Sequence, residues 1–169
     1  RTDSSAASDV YKRQNYDFGV HLTVTSEWKY HKWGGILDKA KTPSLHNSDN
    51  NFYWNKRKFV KNADLNEIKM ELQAQISLAK SMGLKPSHID SHEGALFFDP
   101  NIFKIYIDLA IENDLLAFVP IEASMHFNGE LDKPNNAVII DQFHMLHGGT
   151  KVEDIENFYF NVIRNLKPG

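Results

Sequence analysis

The chain contains no cysteine, which excludes disulfides, thiolate metal sites and a cysteine nucleophile, while leaving the compartment open between cytoplasm and exterior. It also lacks any stretch approaching the ~20 consecutive apolar residues of a membrane span. No apolar signal-peptide core follows the basic start. Positive charge is not in excess either, since 19 Lys and Arg against 22 Asp and Glu give a net charge of −3. Without a basic field there is no electrostatic draw toward nucleic acid or an anionic membrane surface, so the expected partner is a neutral molecule. What is present is ordinary globular composition, 41% hydrophobic and 24% charged over 169 residues. That is enough for one domain with a core, and a homodimer is compatible with it.

Both ends read as unusual. Residues 1–14 (RTDSSAASDVYKRQ) are small, polar and aperiodic, and are expected to be a non-native or disordered leader. At the other end Thr150 and Glu153 suggest a capping box, followed by a helical apolar face of Val152, Ile155, Phe158, Val162, Ile163 and Leu166. That helix runs into Lys167, Pro168 and Gly169, residues that normally turn a chain into its next element. The expectation is a domain over 15–169 that is truncated at both ends.

Between the ends, residues 18–25 (FGVHLTVT) alternate as a strand that points His21 away from Val20 and Leu22. Residues 26–62 then form a long connection rich in aromatics, whose length argues for a functional insertion. Asp64 as N-cap and Glu67 three residues on open a helix with Leu65, Ile68, Leu72, Ile76, Ala79 and Met82 as its apolar stripe, ended at Gly83. Residues 86–92 (PSHIDSH) read as a short strand, Asp99 and Pro100 open a helix to about Asn113, and 115–119 and 137–140 are strand-like. The alternation of strand and helix predicts a parallel α/β sheet or part of a barrel, because four strands cannot close one.

His88, Asp90 and His92 recur with period two, so an extended chain projects all three from one face. A metal ion is one reason to gather imidazole and carboxylate there, and satisfied surface or core histidines are the plain alternative. His21 sits near the C-terminal end of its own strand, the edge where parallel α/β folds place functional groups. Two histidines need a third ligand at a catalytic metal, from Asp90 or from a carboxylate elsewhere. His144 and His147 read better as part of a loop into the last helix than as a second site. Trp28, Trp33, Tyr53 and Trp54 are either loop anchors or a stacking platform for pyranose rings. The DFG string at Asp17–Gly19 is a strand entry, because the other kinase elements are missing.

The stretches DFGVHLTVTSEW, PSL with FYW after it, PSHIDSHEGALF and the final LKPG resemble the YdjC-like carbohydrate deacetylases, the chito-oligosaccharide deacetylases, over nearly all of residues 16–169. The resemblance implies an incomplete, distorted (β/α) barrel of the polysaccharide-deacetylase type. It also implies removal of acetyl groups from N-acetylated oligosaccharides with a divalent metal, magnesium or zinc. Carried over position by position, His21 and His92 become metal ligands, His88 and Asp90 supporting residues, and Trp28, Trp33 and Trp54 substrate-binding candidates. The family's catalytic base and remaining ligand come from an Asp-Asp pair upstream of the GVHLT stretch, and a further histidine from a His-Pro motif past LKPG. Neither motif occurs in this sequence, and Asp17 is too close to His21 on one strand to replace the pair. On that ground the chain alone is expected to be inactive. Two alternatives stand beside this reading. One is a non-catalytic sugar-binding module. The other is a metal-dependent phosphoesterase, against which the lack of an Arg/Lys cluster weighs.

Overall fold

The apolar residues of the first predicted strand go where the alternation sends them, with Leu22 and Val24 buried and His21 exposed on the opposite face. The computed structural model describes residues 17–127, 136–144, 146 and 149–167. The expected leader at 1–14, and His147, lie outside these. Strand β1 (Gly19–Leu22) pairs in parallel with β2 (His88–Ser91), β2 with β3 (Leu116–Pro120), and β3 with β4 (Ala137–Ile140). Among the described residues β1 and β4 are the edges of this sheet. Its register sets His21 beside Asp90 and Gly19 beside His88. No helix of the described residues is long and apolar enough to cross a membrane.

Among the described residues five α-helices accompany the sheet: α1 (Lys56–Asn62), α2 (Leu65–Ser81), α3 (Pro100–Asn113), α4 (Ile121–His126) and α5 (Val152–Arg164). The caps explain the bounds of α2. Asp64 accepts from the amides of Asn66 and Glu67 at 2.9 and 3.1 Å. Glu67 does not reach back to Asp64 itself; it accepts from Ser44, whose hydroxyl in turn takes the Asp64 amide at 2.8 Å. At the far end Gly83, at φ 81°, lets Gly83 N–H reach Lys80 O and Leu84 N–H reach Ala79 O, a Schellman turn. Ile68, Leu72 and Ile76 of α2 and Ile102, Phe103, Tyr106 and Leu109 of α3 form the core with Leu22, Ile89, Ala117 and Val119 of the sheet. The expected ends of the α2 stripe, Leu65 and Met82, are exposed, and a fully buried Glu71 takes their place.

Glu71 explains why the connection over 26–62 is more than a surface loop. Its carboxylate accepts from the amides of Ile36 and Leu37 at 2.8 and 2.9 Å and from the Gln75 side chain at 2.8 Å. A side chain at Gly35 would run into that carboxylate. Leu45, Phe52 and Phe59 of the same connection are buried, and its last seven residues are α1. Gln75 also accepts from Thr23 N–H at 3.0 Å and donates to Thr23 O at 2.8 Å, holding the end of β1 against α2. Pairing of β2 with β3 stops at Ile89 and Ala117. Just there the buried Tyr106 hydroxyl lies 2.8 Å from Ile89 O and 2.9 Å from Phe118 O, where it can donate to either carbonyl and tie α3 to the sheet.

Three sequence expectations shift. The first strand is shorter than 18–25, with Thr25 making only an isolated bridge to Tyr53. Between the 115–119 and 137–140 strands, where the residues read as an irregular stretch rich in Asn and Gly, the chain forms helix α4 directly after β3. Helix α5 begins at Val152 with the extended Lys151 as its N-cap, one residue later than the Thr150 cap the sequence suggests.

Candidate active site

His21 lies on β1, near its C-terminal end. Directly across the ladder stands Asp90 of β2, and its Oδ1 is 2.8 Å from His21 Nδ1. His92 follows β2 immediately, as the first residue of a 3-10 segment, His92–Phe97, rather than as the last of the strand. The chain leaves β2 through Glu93 at φ 51° and Gly94 at φ 65°, two consecutive left-handed residues that reverse its course. For Glu93 that conformation is strained, as is common beside functional groups. The result brings His92 Nδ1 within 3.0 Å of His21 Nε2, the rings meeting edge to face at 5.1 Å. Glu27, on the segment that follows β1, closes the row with its Oε2 2.9 Å from His92 Nε2. Asp90, His21, His92 and Glu27 thus form one hydrogen-bonded row at the C-terminal edge of the sheet.

The row has an electrostatic consequence. Carboxylates only accept, so His21 carries its proton on Nδ1 toward Asp90 and His92 carries its proton on Nε2 toward Glu27. In their neutral forms the two remaining nitrogens therefore turn lone pairs toward each other across 3.0 Å. That arrangement needs a cation between them, either a proton or a metal ion. The hydrogen bond from Asp90 raises the His21 pKa above its ordinary value of 6.5, with burial opposing and the charges of Asp90 and Glu27 adding to the rise. Partial burial pushes Glu27 up, but the His92 hydrogen bond, a backbone hydrogen bond and the charges of His92 and Lys32 outweigh it and leave the carboxyl below its ordinary value. Beneath the site, burial first and then the Asp90 charge hold the Tyr106 phenol far above its usual range.

The donor chemistry fits a divalent ion. Two nitrogens bound at ~2.1 Å to one tetrahedral or octahedral ion stand about 3.0–3.4 Å apart. The pair observed is at the lower end of that interval. A carboxylate behind each imidazole is also the usual outer support of a metal-binding histidine. Among the described residues no group of three His, Cys, Asp or Glu surrounds one point, so the row offers two donors.

The other expected residues separate. His88 projects from the same face one step down the strand but stacks on Phe118, with ring centroids 4.2 Å apart at 9°, and lies within 2.8 Å of Ser87 Oγ. It occupies the space a side chain at Gly19 would need, so it packs the floor of the site and stands outside the hydrogen-bonded row. Trp33 meets the His92 ring at 6.0 Å, and Trp28 and His31 meet Trp33 at 6.3 and 6.0 Å. Trp54 is exposed and its ring lies under the Lys58 ammonium at 5.9 Å. His144 is 3.1 Å from Gln142. Glu27 and His31 were missed by sequence reasoning; both lie in the segment directly after β1, where an edge position was itself the available signal.

A parallel sheet with histidines and carboxylates converging at the C-terminal ends of adjacent strands defines an α/β protein with a polar site at the sheet edge. The comparisons with known proteins agree with that class. A family model described as YdjC-like protein matches residues 2–162, and the chain belongs to the YdjC-like family. A carbohydrate deacetylase of Thermus thermophilus is 32% identical over 104 residues, covering 62% of this chain and 38% of the relative. A carbohydrate deacetylase of Enterococcus faecalis is 35% identical over 74 residues, covering 44% of this chain and 26% of the relative. The matched segments therefore cover well under half the length of these relatives. A solved structure from Enterococcus faecalis, described as a cellobiose-phosphate cleavage protein, superposes with a TM-score of 0.69 at 22% identity, over 95% of this chain and 60% of that one. It supports the same fold.

Proposed function

We propose that the protein to which this chain belongs removes acetyl groups from N-acetylated oligosaccharides of the chito-oligosaccharide type by metal-assisted amide hydrolysis. In this reading His21 and His92 are two ligands of the ion, and the sheet is one arc of a distorted (β/α) barrel. The observation that supports it most is the pair of carboxylate-backed imidazoles whose bare nitrogens face each other at 3.0 Å. The deacetylase names of the two relatives point to the same chemistry. Imidazole donors favour zinc over magnesium, which prefers oxygen ligands.

When bound, such an ion supplies electrophilic stabilisation of charge developing on the acetyl oxygen and acidifies water. The chain's own residues hold and orient. His21 Nε2 and His92 Nδ1 are the donors, and Asp90 fixes the face of the His21 ring. Trp28, His31 and Trp33 offer ring faces on which the apolar C–H faces of a pyranose pack. Both carboxylates of the row are engaged by imidazoles, so neither is free to take a proton from water. With two ion donors among the described residues, the chain by itself should release acetate from di-N-acetylchitobiose at under ~1% of the rate of a complete relative.

Two measurements test this. Zinc titration of the chain by calorimetry should show one site, lost in His92→Ala. Acetate release at a rate near that of a complete relative would show that the two-donor site is already sufficient. Sugar binding that ignores both a chelator and His92→Ala would replace the deacetylase reading with a sugar-binding module.

A further inference from the structure

We infer that Glu27 is a positioning residue, which fixes the nitrogen that His92 turns toward His21. This rests on the reading of the two histidines as a cation site, and it names a residue that reading does not require. A histidine can present either ring nitrogen, and the one it presents is set by what holds the other. The two histidines here use opposite nitrogens: His21 is held by Nδ1 and presents Nε2, whereas His92 is held by Nε2 and presents Nδ1. The supports are crossed between the strands. Asp90 of β2 serves the histidine of β1, and Glu27, on the segment leaving β1, serves the histidine that ends β2. Removing either carboxylate frees one ring to rotate and breaks the match between the two donors.

Glu27 is suited to this because its backbone is fixed from several sides. The fully buried Ser26 donates its amide to Tyr53 O at 2.9 Å, accepts the Trp33 amide on its hydroxyl at 3.0 Å, and accepts Lys32 Nζ on its carbonyl at 2.7 Å. The Glu27 and His92 side chains are only 23% and 20% exposed. A pair this far withdrawn from water is screened little, so the carboxylate holds the ring in one orientation. The same short segment carries Trp28 and Trp33, and one piece of backbone therefore sets both the His92 donor and the aromatic wall beside it.

The test compares Glu27→Ala with Glu27→Gln in the 169-residue chain. The glutamine carbonyl oxygen still accepts from Nε2–H, and alanine offers nothing. Ring-nitrogen NMR of 15N-histidine-labelled, metal-free protein at pH 8 should show His92 protonated on Nε2 in the unmodified chain and in Glu27→Gln. In Glu27→Ala the His92 signals should move toward a mixture of tautomers or exchange-broaden. Zinc affinity by calorimetry should fall roughly 10–100-fold in Glu27→Ala and less than about fivefold in Glu27→Gln. Unchanged His92 ring shifts in Glu27→Ala, or a glutamine variant as impaired as alanine, would overturn the assignment. If the unmodified chain binds no zinc while the ring shifts still respond to Glu27→Ala, the positioning role stands and the cation reading falls.

Discussion

Helices α3 and α5 show how differently two apolar faces can fare in one chain. Helix α3 buries Ile102, Phe103, Tyr106, Ile107, Leu109 and Ala110, whereas α5, the more amphipathic of the two, buries nothing. Along α5 and just past it Val152, Tyr159, Phe160, Ile163 and Leu166 are exposed. Strand β4 beside β3 is similarly open, with Val138 and Ile139 exposed. Periodicity marks a face that can be buried; burial itself depends on what other elements stand opposite. The candidate active site belongs to the well-packed part, on strands backed by α2 and α3.

The contrast is sharpest in stability. Phe103→Ala should cost about 3–5 kcal/mol by urea unfolding, and Ile163→Ala on α5 no more than about 0.5 kcal/mol. Amide exchange should follow the same division, slow in α3 and fast in α5. Equal costs at the two positions would break the comparison. Glu71→Ala should cost about 3 kcal/mol, because it removes a fully buried carboxylate that accepts from the amides of Ile36 and Leu37 and from the Gln75 side chain. A loss under about 1 kcal/mol would show that the 26–62 connection is not held from α2. Gly94→Ala should cost about 1–2 kcal/mol, since Gly94 sits at φ 65° and an added methyl would meet the Phe97 ring at 3.3 Å. An unchanged midpoint for Gly94→Ala would remove the turn as the device that sets His92.

The smallest effect is with pH. The His21 pKa is raised in the folded chain, so its metal-free contribution to stability is full below the unfolded value near 6.5 and is lost as pH rises through the folded value. Zinc must take the deprotonated Nε2, so zinc affinity should climb through the same window. Calorimetric titrations at a series of pH values, beside melting curves without metal, check the opposed trends. A zinc affinity that is flat with pH would separate His21 from the ion.

Much of the well-packed part was legible in the residues. The caps at Asp64 and Asp99, the glycine stop at Gly83 and the 137–140 strand are local chemistry, and local chemistry is what a sequence displays. His21 and Asp90 were legible as edge residues because alternation assigns a strand face before any pairing is known. Their meeting was not, since it depends on a register across 69 positions. Glu27 escaped because a single carboxylate after a strand looks like any solvated glutamate until His92 arrives 65 residues later. Trp54 shares its residue type with Trp28 and Trp33, but residue type alone does not show that the turn into α1 sets its ring against Lys58. His88 shared the period of Asp90 and His92, but the missing side chain at Gly19 gave its ring a flat seat against Phe118.

The amide of Gln75 gives Thr23 both partners that a neighbouring strand would give it, a donor and an acceptor on one planar group. An edge strand with open rungs invites a second chain to add to it, the first step of strand-mediated self-association. At Thr23 that rung is already taken by a side chain of the same molecule. Gln75 therefore closes that rung as well as holding β1, and in Gln75→Ala the Thr23 amide and carbonyl would lose both of these partners at once.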